Sequence, residues 1–191
     1  MHLHRLHLRN YRNFAEQVVE FPPEGVAIIG DNGQGKTNLL EAVYYLEIFR
    51  SFRGSPDEQL VRFGEEVFRV EGTLAAPGGN ERTIAAAFER RRRRKKVVVN
   101  GSEPERLGDA LGLVGAVIFS PADVELVSGG PGERRRFLDI VLSLAEPGYV
   151  AALQRYRQAL FQRNTLLRQG AAGTLVEAWD RPLVAPSPAA V

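Results

Sequence analysis

The chain has 191 residues, 44% of them hydrophobic and 25% charged, the make-up of a globular protein with room for one packed domain and a small attached lobe. It has no cysteine, which excludes disulfides, thiolate metal sites and cysteine nucleophiles. No apolar run nears the roughly 18 residues of a membrane span, and the N-terminus has no signal-peptide core, so a cytoplasmic protein without membrane contact is expected. The net charge of +2 hides two asymmetries: of 25 basic residues only Lys36, Lys95 and Lys96 are lysines, and residues 90 to 96 are all basic.

In chain order, LHLRNYRNF (Leu6 to Phe14) reads as a strand of alternating apolar positions running into a polar turn, and Gln17 to Phe21 as a second short strand. His2, His4 and His7 lie in the first strand, with His7 opposite the other two, and read as surface or edge positions. Val26 to Ile29 read as a short buried strand. From Thr37 onward, Leu39, Leu40, Val43, Leu46 and Phe49 recur at helical spacing. Strand-like runs follow at Glu66 to Leu74, Arg82 to Glu89 and Lys95 to Val99, with Asn100-Gly101 as a tight-turn signal. GAVIFSPAD (115 to 123) reads as another buried strand, ending at Ser120-Pro121, with Asp123 opening a helix. Residues 133 to 169 read as a helix pair broken at Glu146-Pro147-Gly148, and the last stretch, APSPAAV, as disordered.

Between the Val26 strand and the helix lies Gly30-Asp31-Asn32-Gly33-Gln34-Gly35-Lys36-Thr37-Asn38, which fits the phosphate-binding pattern G-x-x-x-x-G-K-[ST]. The physics suits the pattern. Glycines let the backbone take left-handed turns and come close to a ligand, and unpaired N–H groups converge with the positive end of the helix dipole on an anion. Lys36 is expected to reach the β- and γ-phosphates, and the Thr37 hydroxyl to coordinate Mg²⁺. Asn32 lies within the loop, and Asn38 could cap or line the site. A nucleotide site for ATP with Mg²⁺ is the expectation.

The order of hairpin, phosphate loop, helix and antiparallel strands looks like the first lobe of an ABC-type ATPase head. The motifs LRNYRNF, GDNGQGKTNLLEAVYYL, VVVNG, VIFSPADVELV, GPGERRRFLD, YRQALFQRNTLLR and the pair Trp179-Asp180, in that order, resemble the RecF family of SMC-like ABC-type ATPases over nearly the whole chain. The resemblance implies an α/β fold: an ATPase head lobe with a mixed parallel and antiparallel sheet at residues 1–120, and an incomplete helical lobe at 121–181. Residues 182–191 are left as a disordered tail. It also implies ATP-dependent DNA binding in recombinational repair, replication and the SOS response, acting on single-stranded and duplex DNA at gaps. Recombination mediator proteins are the implied partners, with an ATP-dependent homodimer at full length. In the broader SMC-like group, the basic residue at the position of Arg12 lies against the nucleotide phosphates.

Arg90, Arg91, Arg92, Arg93, Arg94, Lys95 and Lys96 read either as a solvated hairpin tip or as DNA phosphate contacts, with no feature that would read base edges. Alternation along a strand leaves three or four of them able to face a backbone at once. Asp123 reads as a coupling residue or as an ordinary helix-start acid, and Arg134 to Arg136 oppose the dipole of the helix they begin. Hydrolysis would need a Walker B strand ending in an acidic pair. AVIF ends in serine and RFLDIVL sits in a helical pattern, so neither supplies one, and the family's signature motif is absent. The chain therefore reads as the N-terminal half of a RecF-like protein, a fragment or a frameshifted product. Two functions are expected: an ATP-dependent DNA-binding repair protein, or a nucleotide-binding scaffold without hydrolysis.

Overall fold

A computed structural model describes residues 2–75, 79–170 and 173–184. The described residues fall into two compact units, divided between Asp123 and Val124.

The first unit is built on a five-stranded sheet: β1 (His2–Tyr11), β2 (Phe14–Glu20), β3 (Val67–Ala75), β4 (Glu81–Glu89) and β5 (Arg94–Val99), in the order β2-β1-β3-β4-β5. Every pairing is antiparallel. One face is apolar because the sequence alternates: Leu6 and Leu8 on β1, Phe68, Val70 and Leu74 on β3, and Ile84, Ala86 and Phe88 on β4 are all buried. Gly72 of β3 lets the helix α1 (Lys36–Ile48) come close, since a Cβ there would lie 2.8 Å from Leu46 Cδ1. Ala42, Tyr45, Leu46 and Phe49 then bury against Tyr11 and Phe68, with edge-on ring contacts at 5.2 to 6.3 Å.

Three expectations change here. The sheet is antiparallel, not mixed, because the two segments expected to run as further strands find no ladder partner among the described residues. Residues 25 to 30 and 115 to 120 carry no strand, and Ile29 and Val117 are 91% and 97% exposed. A strand exists only through its neighbours' hydrogen bonds, so apolar sequence alone does not make one. The apolar stripe of α1 is also rotated: Leu40 is half exposed, while Glu41, an acid, is fully buried. The strand and turn expectations around residues 66 to 101 hold. Asn100 and Gly101 take φ of 49° and 83°, and Val99 and Ser102 exchange backbone hydrogen bonds of 2.8 and 3.1 Å.

The second unit comprises α2 (Glu125–Ser128), α3 (Pro131–Ala145), α4 (Tyr149–Arg168) and α5 (Gly173–Val184). The helix break falls where Pro147-Gly148 places it, with Gly148 at φ 85°. Asp139 of α3 accepts from Tyr149 Oη at 2.8 Å and Arg157 Nη2 at 2.7 Å, tying α3 to α4, and Arg163 pairs with Asp180 of α5. Arg134 and Arg135, whose charge opposes the helix dipole, donate to the carbonyls of Gly129 and Pro131. Residues 182–184 of the expected tail belong to α5, which runs to Val184, and the rest of it, 185–191, lies outside the described residues.

Candidate nucleotide site and basic hairpin

The glycine loop joins the end of residues 25–30 to the N-terminus of α1. Gly30, Gly33 and Gly35 have φ of 154°, 83° and 101°, a backbone that L side chains rarely adopt. A Cβ at Gly30 or Gly33 would meet nothing within 4 Å, so these glycines serve the backbone turn and leave its surface open. Among the described residues, none accepts a hydrogen bond from the N–H of Gly33, Gln34, Gly35 or Lys36. Lys36, the first residue of α1, turns its ammonium back to the carbonyls of Gly30 and Asp31 at 2.6 and 2.7 Å, and Thr37 stands in the first turn beside it. Free N–H groups, an ammonium and a helix N-terminus around an open loop make up a cradle for phosphate oxygens. The donor set therefore fits a nucleotide polyphosphate, and the Thr37 hydroxyl is of the kind that ligates Mg²⁺.

A residue that the sequence does not flag holds the loop. Asn13, in the turn between β1 and β2, donates through Nδ2 to the Gln34 carbonyl at 3.2 Å and accepts from Asn38 Nδ2 at 2.8 Å. A Cβ on Gly35 would lie 2.5 Å from Asn13 Nδ2, so the third glycine is needed for close approach as well as for its φ. Arg53 completes the row by donating to Asn38 Oδ1 at 3.3 Å. Asn38 thus lines the loop through its side chain, while Gly35 takes the cap position of α1.

Arg12 faces inward. Its guanidinium donates to both carboxylate oxygens of Glu41 at 2.8 Å, to Ser55 Oγ at 2.8 Å and to the Gln59 carbonyl at 3.2 Å. The hydrogen bonds to Glu41 raise the Arg12 pKa above its ordinary value. Ser51 adds a short hydrogen bond to Glu41. Arg12 therefore sits one residue from the brace on the phosphate loop and is itself bound to the helix that the loop begins.

The seven basic residues separate into distinct roles. Arg90 is structural: its backbone N–H donates to Glu66 O at 2.8 Å, and its guanidinium donates to the carbonyls of Glu58 and Val61 at 3.0 and 3.2 Å. Lys95 is largely buried, pairs with Asp57 at 2.8 Å, donates to the Phe49 carbonyl and lies 5.2 Å from the Tyr45 ring centre. Burial lowers its pKa despite Asp57. Arg93 pairs with Glu58 at 2.6 Å, Lys96 with Glu103 at 2.6 Å, and Arg92 reaches Glu89 at 3.6 Å. Only Arg91 and Arg94 are exposed with no ion-pair partner among the described residues. The alternation argument, which leaves three or four side chains facing outward, takes no account of these acids.

Asp123 caps the short turn Pro121–Val124, accepting from Ser120 N at 2.5 Å. Among the described residues, no group of three or more His, Cys, Asp or Glu side chains is placed to hold a metal ion.

The AAA domain family model matches residues 5–125. The DNA replication and repair protein RecF of Thermosynechococcus vestitus is 43% identical over 188 residues, covering 96% of this chain and 49% of its own length. That of Halalkalibacterium halodurans is 41% identical over 169 residues, covering 88% and 45%. The chain belongs to the RecF family. A solved structure of the recombination mediator protein RecF-ATP of the RecFOR pathway superposes with a TM-score of 0.88 at 38% identity, over 95% of this chain and 50% of that one. The chain thus spans about half the length of the RecF proteins it matches. RecF kinship covers the sheet unit and the helical unit alike, and the AAA domain match ends two residues past the end of the first unit.

Proposed function

We propose that this chain is the nucleotide-binding lobe of an ATP-dependent DNA-binding protein of recombinational repair and replication. The observation that carries the reading is the glycine loop, with its free N–H groups, Lys36 and Thr37 at the start of α1, in a chain of RecF kinship. ATP is bound at Gly30 to Asn38, with Mg²⁺ on the Thr37 hydroxyl. Single-stranded and duplex DNA is bound through the exposed part of the basic hairpin. At full length the protein acts as an ATP-dependent homodimer in the cytoplasm, working with recombination mediator proteins at gaps. No helix of the described residues is long and apolar enough to cross a membrane.

Calorimetry with Mg·ATP tests the nucleotide site. Lys36→Ala removes a charge-assisted contact and should weaken binding by about 1.5–3 kcal/mol. Equal affinity for both proteins would reject the assignment.

A second reading, a nucleotide-binding scaffold without hydrolysis, has its own support. Among the described residues no carboxylate is hydrogen-bonded to Thr37, and the one acid buried in the first half of α1, Glu41, is taken by Arg12. Hydrolysis by the 191-residue chain alone should therefore be negligible. Phosphate release above background that disappears in Lys36→Met would favour an active ATPase over a scaffold.

A further inference from the structure

Phe63 is 97% exposed, yet the turn that carries it is firmly held. Glu65 N donates to Arg62 O at 3.0 Å across the turn, with Gly64 at φ 83°. Arg62 N donates to Asn10 O at 2.8 Å, and Asn10 Nδ2 donates to Glu65 at 3.1 Å. Arg90 grips both legs of the same turn, through the carbonyls of Val61 and Glu66. Because Arg90 opens the connection between β4 and β5, these bonds hold the turn that carries Phe63 against the residue from which the arginine tip, residues 91 to 94, begins. Two nearby acids are already paired, Glu58 with Arg93 and Glu89 with Arg92, and Glu65 accepts from the Asn10 amide. Arg91 and Arg94 make no ion pair among the described residues, and the acid that Arg94 acts on at longer range, Glu103, is held by Lys96.

We infer that Phe63 and the arginine tip form a binding site for single-stranded DNA, in which the phenyl ring stacks on an unpaired base and Arg91 and Arg94 hold the flanking phosphates. The inference rests on the DNA-binding reading above and assigns its single-strand component to a residue. An aromatic face flanked by cations suits a single strand, since every base offers a π-face and the backbone offers the charge. A duplex offers only the second, because its bases are already stacked in the helix. The ring and the charges therefore make separable contributions.

Binding of a dT oligonucleotide and of a blunt duplex by the 191-residue chain separates them. Phe63→Ala should weaken oligo-dT binding about 5- to 150-fold and leave duplex binding unchanged. Phe63→Trp should keep single-strand affinity, and oligo-dT should add a fluorescence quench that the unsubstituted protein does not show. Arg91→Ser with Arg94→Ser should weaken both ligands. If Phe63→Ala binds oligo-dT normally while the double arginine variant does not, the stacking site is wrong and the DNA-binding reading stands. If the unsubstituted chain binds neither ligand, both fall. A ring that serves a protein partner instead would give normal oligo-dT binding by Phe63→Ala and no added quench in Phe63→Trp, which also overturns the inference.

Discussion

Arg12 and Glu41 face each other in a two-pronged ion pair, both contacts at 2.8 Å, with the Glu41 side chain fully buried. The pair fastens the turn between β1 and β2 to α1. Removing one partner of a buried pair strands the other charge, which costs more than the pair itself contributes. Arg12→Ala should therefore destabilise the sheet unit by about 3–5 kcal/mol in urea denaturation. Arg12→Lys should recover only part of that, because an ammonium cannot reproduce the forked contact. A loss under about 1 kcal/mol for Arg12→Ala would show that Glu41 is not held as described.

Asn13 acts on the nucleotide only through the loop. Its Nδ2 fixes the Gln34 carbonyl and its Oδ1 fixes Asn38. Loss of one neutral hydrogen bond is worth about 1 kcal/mol, so Asn13→Ala should weaken Mg·ATP binding several-fold, less than Lys36→Ala does. Asn13→Asp keeps the acceptor for Asn38 but loses the donor to Gln34 and sets a negative charge beside the phosphate loop, so it should weaken binding at least as much as Asn13→Ala. Unchanged affinity in both variants would mean that the loop holds its shape unaided.

The basic hairpin should respond by position. DNA binding through phosphates weakens with salt at about 0.9 per neutralised phosphate on duplex. Replacing Arg91 and Arg94 by serine should flatten the log–log slope by about 1.8 units and weaken all sequences alike. Lys95→Ser should instead lower stability by about 2 kcal/mol, since Asp57 and the Phe49 carbonyl lose a partner, with little change in the salt slope. The reverse pattern would place the DNA contact on the buried lysine.

The hydroxyl of Tyr11 is buried with no hydrogen-bond partner among the described residues. Tyr11→Phe removes an unsatisfied polar group at almost constant volume and should stabilise the unit by about 1 kcal/mol near neutral pH. Reduced stability would mean that the hydroxyl has a partner.

Alkaline pH offers a second view of the same ring. Burial raises the Tyr11 and Tyr45 pKa values above their ordinary 10.0. Both stay protonated in the fold while the unfolded chain ionises, so stability should fall as pH rises above about 10. Each contributes up to about 1.4 kcal/mol per pH unit. The lowered pKa of Lys95 acts the other way below its ordinary 10.5, because the cost of burying its charge fades as it loses its proton. The net decline should therefore be clearest above about 10.5, and Tyr11→Phe should halve it. A Tyr11→Phe slope equal to that of the unsubstituted chain, followed by circular dichroism of the sheet, would contradict this.

Local chemistry made much of this protein legible in its sequence. The glycines, Lys36 and Thr37 identify the phosphate loop because the required backbone and charges lie within eight consecutive residues. Asn100-Gly101 marks its turn, and Pro147-Gly148 the helix break, for the same reason. Strand alternation likewise gives β3, β4 and β5 to within a residue or so. What depends on partners distant in the chain was decided only by tertiary structure. Val26 to Ile29 and Val117 read as strand, yet a strand requires neighbours to hydrogen-bond, and none of the described residues supplies them. Glu41 sits on the buried side of α1 because Arg12, 29 residues away, neutralises it there, and helical periodicity carries no trace of that pairing. The brace from Asn13 to Gln34 spans 21 residues and is equally invisible. The run from Arg90 to Lys96 looks uniform as text, but the adjacent Glu89 and acids brought in from residues 57, 58 and 103 divide it into structural, paired and unpaired charges. Sequence sets the charge of each side chain, and folding sets which charge remains available to a ligand.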